Sequence, residues 1–355
     1  MKNFFLYTGM AYLVLSCLLL YETHFIFPDS DINNGKTSPH LFISFYNVEN
    51  LFDTVDAPGI DDAEFLPEGK HEWNTRKYST KLTHIASVIK SMNEGQGADI
   101  VGLAEVENMG VVKDLIADPQ LKALKYGIVH HESPDTRGID VAMIYKKNCL
   151  RVTGTRFFHV NISKYDDKPT RDIVMVEGID IKDDTLLFFL NHWSSRRGGI
   201  KETEPKRRAA AMVLKKAIDS IEFYHPYSKI IVMGDFNENP TDPAITGILH
   251  ATKFPDFTSS NSLYNAANNF NWRTGEGTEW YHGDWSRFIQ IIFSTSVIKN
   301  QLDLNGKFND IHIFKPPWLM IEDTFYHQLV PYRTFEDGKP IGYSDHLPVY
   351  SQLDL

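Results

Sequence analysis

The sequence predicts an α+β layered fold of many strands and few helices. Three observations carry that prediction. From Leu41 onward, short apolar runs alternate with amphipathic stretches. No internal repeat or low-complexity tract interrupts them. Several apolar runs also end in a polar residue that a buried strand does not need. Carboxyl ends of strands are where layered sheets place ligand sites.

The first element stands apart from that pattern. Phe4 to Tyr21 is apolar or nearly so, with Thr8, Gly9 and Ser16 as its soft breaks. Its 18 residues sit at the lower edge of a membrane-spanning helix and exceed the usual apolar region of a signal peptide. Lys2 precedes it and Glu22, Asp29 and Asp31 follow, which orients the bulk of the chain outside the cytoplasm. The expectation is an uncleaved membrane anchor on an extracytoplasmic protein. A cleaved signal, or a lipidated Cys17 in Val14-Leu15-Ser16-Cys17, is the alternative. Ser30 to His40 reads as a polar linker. The expected organisation is anchor plus linker over 1–35 and one large domain over 36–355.

Within that domain, Arg76 to Met92 sets Leu82, Ile85, Val88 and Ile89 on one helical face. Glu204 to Tyr224 does the same with Ala210, Leu214, Ala217, Ile218 and Ile221, and Pro205 near its start costs little. Val141 to Tyr145, Val152 to Phe158, Ile173 to Ile181 and Lys307 to Phe314 read as strands.

Four further apolar runs lead into polar residues. Leu41 to Phe45 leads to Asn47, Ile100 to Ala104 to Glu105, Leu186 to Leu190 to Asn191 and His192, and Ile230 to Met233 to Asp235 and Asn237. Near the C-terminus the order inverts: Asp345 and His346 precede the run Leu347 to Leu353. An antiparallel strand starting there brings them to the same sheet edge. Each residue taken singly has a plain structural reading as a solvated loop acid, a turn amide or a satisfied histidine. Five separated segments delivering acid, amide and imidazole at equivalent strand ends favour a site. That set suits a hard divalent cation held by oxygens, with histidines and an Asp left for proton work.

Composition narrows the chemistry. The chain has 355 residues, 46 acidic against 36 basic, and a formal charge of −10, which argues against a DNA binder held by bulk electrostatics. A divalent metal would still supply local positive charge for phosphate chemistry. Two cysteines exclude a disulfide framework and a Cys-rich zinc site.

At these residues the sequence resembles the endonuclease/exonuclease/phosphatase superfamily, the metal-dependent phosphoesterases that include pancreatic-type deoxyribonuclease. The matching stretches are Phe45-Tyr46-Asn47-Val48-Glu49-Asn50, Ala104-Glu105-Val106-Glu107-Asn108, Asn191-His192-Trp193, Gly234-Asp235-Phe236-Asn237 and Ser344-Asp345-His346-Leu347-Pro348-Val349, in family order. The resemblance implies a four-layer αββα sandwich of two mixed sheets flanked by helices. It implies Mg²⁺ or Mn²⁺, with Glu105 as main ligand, Asn47 supporting it and Asp345 nearby. Asp235 and Asn237 would orient the attacking water and the phosphate, and His192 and His346 would stabilise the phosphoryl group or move protons. Thr170-Arg171-Asp172 falls where the family often carries a phosphate-contacting arginine. Arg196 and Arg197, after His192, are further candidates for substrate phosphate, or else a solvated basic loop. Arg137-Gly138-Ile139-Asp140 is a family stretch read as structural.

One position departs from the pattern. Ile289 occupies the slot where the family carries an Asp that pairs with the late histidine. On the sequence, His346 therefore loses the carboxylate that would fix it. The leading reading is a metal-dependent phosphoesterase acting as a monomer on phosphodiesters, a nuclease slightly favoured, tethered to a membrane by its N-terminal segment. A lipid or inositol-phosphate phosphoesterase of the same fold is the alternative. A binding module weakened by Ile289 is the second. Trp272, Trp280, Tyr281, Trp285, Trp318 and Tyr326 are candidates for stacking on a base or touching lipid, or for a loop core.

Overall fold

The computed structural model describes residues 40–258, 262–270, 276–299, 301, 308, 311–335 and 340–354. The N-terminal apolar segment, its linker, Trp272 and, of the expected strand from Lys307 to Phe314, Lys307, Asn309 and Asp310 lie outside the described residues; the described part of that stretch is strand only over His312–Ile313. Among the described residues, no helix is long and apolar enough to cross a membrane.

Two mixed sheets form the centre. The first has the order β14 (His312–Ile313), β17 (Val349–Asp354), β1 (His40–Leu51), β2 (Ile100–Val106), β4 (Asp140–Lys146), β3 (Tyr126–His130). The second runs β5 (Leu150–Phe158), β6 (Ile173–Asp180), β7 (Thr185–His192), β8 (Lys229–Asp235), β13 (Ile289–Ser294), β10 (Leu263–Asn265), β9 (Ala251–Thr252). Two short ribbons, β11 (Glu279–Tyr281) with β12 (Asp284–Ser286) and β15 (Met320–Asp323) with β16 (Gln328–Pro331), complete the strands among the described residues.

Strand alternation explains the layers. Leu41, Ile43 and Phe45 of β1 join Val174, Phe188, Leu190, Met233 and Ile291 of the second sheet in a core between the sheets. Phe42 and Tyr46, on the other face of β1, pack with Ile85, Val88 and Ile89 of helix α1 (Thr75–Gly95) and Val111 and Leu115 of α2 (Met109–Ala117). Met175 and Phe189 pack outward against Ala210, Leu214 and Ile218 of α3 (Ile200–Tyr224). The result is the expected αββα sandwich. Asn74 caps α1, its side chain accepting from the Arg76 and Lys77 amides. α3 starts four residues earlier than the periodicity suggests. Thr203 and Arg207 bond carbonyls of that first turn, the Thr203 hydroxyl to Gly199 and the Arg207 guanidinium to Ile200.

Topology gathers the chemistry at one rim. β1 runs parallel to β2, and β7 to β8, so four carboxyl ends open on the same side. β17, β6, β4 and β13 run antiparallel to these neighbours and bring their amino ends there. Asp345-His346, Arg171, Arg137 and Ile289 therefore reach the rim from the opposite chain direction.

Candidate active site

The inter-sheet face simply continues to the rim. Asn47 follows Phe45 by two positions, His192 follows Leu190 and Asp235 follows Met233, so each faces the mouth of the core. All three are buried. Glu105 breaks the rule. It follows Leu103, whose side chain packs on the helix side of the sheet. Its backbone is left-handed, with φ of 64°, and the β2–β4 register shifts between Ala104 and Val106. That bulge turns the carboxylate back toward the rim. Glu49, Asn50 and Asn237 are left-handed too, so strain concentrates here.

Asn47 is the hub. Its Nδ2 donates to Glu105 Oε1 (3.2 Å) and to Asp235 Oδ2 (2.9 Å), while its Oδ1 accepts the Glu49 amide (3.0 Å). Glu105 Oε2 accepts the Asn50 amide at 2.9 Å. Asp235 Oδ1 accepts the Asn237 amide at 3.0 Å. His192 Nε2 lies 3.7 Å from Glu105 Oε1. His346 Nε2 lies 3.6 Å from Asp235 Oδ2 and 3.7 Å from Asp345 Oδ1. The Ser344 hydroxyl fixes this last segment, donating to the Asn47 carbonyl (2.7 Å) and accepting the His346 amide (3.0 Å).

The two histidines differ in charge. Burial pushes His192 well below the usual histidine range, and the Arg171, Arg137 and His346 cations add to that effect. Burial acts on His346 in the same sense, but Asp345, Asp235, Glu279 and Glu105 outweigh it and raise His346 to about 9. At neutral pH, His192 is a neutral imidazole and His346 an imidazolium. This corrects the sequence expectation for Ile289. Ile289 does sit in the core beside Asp235, its cross-strand partner, yet His346 does not lack carboxylates.

A sequence profile described as "Endonuclease/Exonuclease/phosphatase family" matches residues 42–354. The chain belongs to this family. No curated protein matches it in a search by similarity. Among solved structures, truncated TDP2 from Caenorhabditis elegans is similar, with TM-score 0.53 and 16% identity over 89% of this chain and 98% of that one. Humanized TDP2 from D. rerio gives TM-score 0.54 and 14% identity, covering 90% and 100%. Mannosyl-6-phosphatase from Bacteroides thetaiotaomicron gives TM-score 0.52 and 16% identity, covering 87% and 98%. At these identities the likeness is one of fold.

Not every expected family residue faces the cleft. Arg171 is buried and committed: it donates to Asp135 Oδ2 (2.9 Å) and to the His192 and Trp193 carbonyls (3.1 and 2.7 Å). It holds the strand end that carries His192 and does not reach out to a phosphate. Arg196 is similarly engaged, by the Asn237 carbonyl (2.8 Å), Glu238 (3.2 Å), Asp242 and the Phe288 ring. Arg197 lies exposed on the same loop. Asn191 is structural, its amide bonding Phe189 and Met233 carbonyls and accepting from Trp193 Nε1. The Asn237 side chain donates to the Trp193 carbonyl at 3.1 Å, beside the site.

Other site residues escaped the sequence reading. Glu49 accepts from Arg333 (3.3 Å) and the Thr334 amide, and burial together with Asp345 raises it to about 7. Lys81 is buried behind it and burial lowers it to about 8, against the pull of Glu49, Asp345 and Glu105. Arg333 also donates to Asp345 at 3.2 Å. Arg137, read as structural, is half-exposed and lies close enough to His192 to repel its charge. The signal that marks them is contact, not spacing.

The donors fit a hard divalent cation. Each Glu105 oxygen accepts one hydrogen bond and keeps a lone pair. Burial raises Asp345, and Glu105 and Glu279 raise it further. Carboxylates that oppose one another's charge in a buried cluster are what a cation offsets, and oxygen donors suit a hard divalent ion.

Proposed function

We propose that this family phosphoesterase hydrolyses phosphodiester bonds with a divalent metal, Mg²⁺ or Mn²⁺, by in-line attack of water, with nucleic acid the favoured substrate. The carrying observation is the convergence of Asn47, Glu105, His192, Asp235 and His346 on one rim. Glu105 would hold the metal with Asp345 alongside, and Asn47 would fix the Glu105 carboxylate. The bound ion would stabilise charge on the phosphoryl oxygens.

The chain's own residues supply the rest. Asp235 lies buried between the Asn47 amide and His346 and accepts the proton of the attacking water. His346, its Nε2 facing Asp235 and Asp345, donates to the developing negative charge. His192, neutral, offers a hydrogen bond without adding repulsion to the cations around it. Arg197, exposed on the loop after His192, provides positive charge for a substrate phosphate. Arg171 and Arg196 shape the walls.

The aromatic side chains bear on the substrate. Trp280 packs on Trp285 (5.4 Å) and Tyr326 (5.7 Å), so these rings knit the two ribbons together. Tyr281 and Phe325 project outward from the ribbons and are available to stack on a base. The lipid and inositol-phosphate reading shares this chemistry, and one fold relative is named for a phosphatase. Export and membrane attachment belong to the same proposal and rest on Phe4 to Tyr21 alone.

The test is hydrolysis of bis-p-nitrophenyl phosphate by the full chain. Activity should depend on Mg²⁺ or Mn²⁺, stop with EDTA, and fall at least about 10³-fold in Glu105→Ala and about 10²-fold in His192→Ala. Equal activity in wild type and both variants would remove the reading. Plasmid DNA, sphingomyelin and inositol phosphates run in parallel decide the substrate class.

A further inference from the structure

His346 has lost its usual strand partner to Ile289, yet the chain brings another acid to it from a different element. We propose that Glu279 is the positioning residue of His346, carrying from ribbon β11–β12 the carboxylate that β13 lacks. The inference rests on the phosphoesterase reading of the rim and deepens it.

Four observations support it. The backbones of Glu279 and His346 pair in an antiparallel bridge, and the Leu347 amide donates to the Thr278 carbonyl at 2.7 Å. This locks the two side chains onto neighbouring positions. A Glu279 carboxylate oxygen, an Asp345 carboxylate oxygen and a His346 ring nitrogen lie within 4.8 Å of one another. Asp235 and Asp345 both approach His346 at Nε2, whereas Nδ1 is buried without a hydrogen-bond partner among the described residues. Glu279 does not hydrogen-bond the ring here; its carboxylate acts on the ring by charge across a gap of at most 4.8 Å. Finally, Glu279 is itself held. Ser286 Oγ, directly across the ribbon, donates to Glu279 Oε2 at 3.1 Å, and the Trp280–Trp285 contact stiffens the turn.

Ile289 marks where the usual acid is missing. It is fully buried beside Asp235 on the inter-sheet face and offers the ring no carboxylate. The Thr278 hydroxyl accepts the Ile289 amide at 3.2 Å, so the old slot and the new one are mechanically joined.

The experiment uses the full chain with Mg²⁺ and bis-p-nitrophenyl phosphate, together with ¹⁵N NMR of the His346 ring in the metal-free protein at pH 7. Glu279→Gln should lower kcat about 10²-fold with KM changed less than about threefold. It should also move the His346 ring nitrogen signals, which a purely structural role at Glu279 would leave in place. Adding Ile289→Asp to Glu279→Gln should recover activity by restoring an acid near the ring. The inference is overturned if wild type is active and Glu105→Ala is not, while Glu279→Gln keeps wild-type kcat. Unmoved ring signals in folded Glu279→Gln overturn it too. No metal-dependent hydrolysis in wild type, with ring signals that do move, overturns the functional reading and supports the pairing.

Discussion

The two rims of the sandwich treat buried charge in opposite ways. At the rim away from the site, Asp99 and Lys146 form a closed unit. Lys146 Nζ donates to Asp99 Oδ1 (2.9 Å) and the Gly97 carbonyl (2.8 Å), and Asp99 Oδ2 accepts the Phe42 amide (2.9 Å). Within this unit each charged group has a partner. At the site rim, carboxylates crowd one another, His192 Nδ1 and His346 Nδ1 have no partner, and Glu49, Asn50, Glu105 and Asn237 are left-handed. The Asp99–Lys146 pair serves architecture, whereas the under-paired groups of the site rim sit where a ligand would complete them.

Three changes sharpen or break that contrast, the largest first. Asp235→Asn, at the active rim, should lower kcat about 10³-fold, equivalent to about 4 kcal/mol of barrier, with melting hardly changed. Steady-state kinetics and a thermal melt check it, and a large stability loss would make Asp235 structural. Asp99→Asn, at the opposite rim, should do the reverse. It leaves Lys146 buried without its counter-ion and should cost about 3 kcal/mol in urea unfolding while kcat of the folded protein holds. The third tests an unpaired acid with no chemistry to perform. Glu222 on α3 is buried, neither carboxylate oxygen has a partner, and burial with the nearby Asp219 raises it to about 7. A raised carboxyl favours the folded state while protonated, so stability falls as pH rises from about 4.5 through about 7. Glu222→Gln should therefore stabilise by about 1 kcal/mol at pH 8 and change little near pH 5. Equal effects at both pH values would assign the gain to packing.

The strands and helices were readable because they follow from periodicity, and the layering came with the family resemblance. Ile85, Val88 and Ile89 form the inner face of α1, and the runs before Asn47, His192 and Asp235 are buried strands, as apolar spacing requires. Asn47, His192 and Asp235 were readable for the same reason, each continuing a buried face by two residues. The arginines were not. Arg171 and Arg196 have the same sequence look as phosphate ligands, but their guanidiniums are occupied by carbonyls and acids from distant segments. Only three-dimensional contact shows a donor already used.

What the sequence determines by itself is the alternation of strands and helices, the family with the αββα layering it implies, and the ordered set of acid, amide and imidazole at strand ends, because side-chain alternation is a local property of the backbone. Tertiary structure decided three further matters. A bulge with left-handed backbone turns Glu105 to the rim, against its alternation. The packing of charges leaves His192 neutral and His346 protonated. A ribbon brings Glu279 to His346 from far along the chain, where Ile289 offers no acid. Each depends on groups remote in sequence meeting in a dry, crowded space, and Coulomb interactions there follow distance rather than order along the chain.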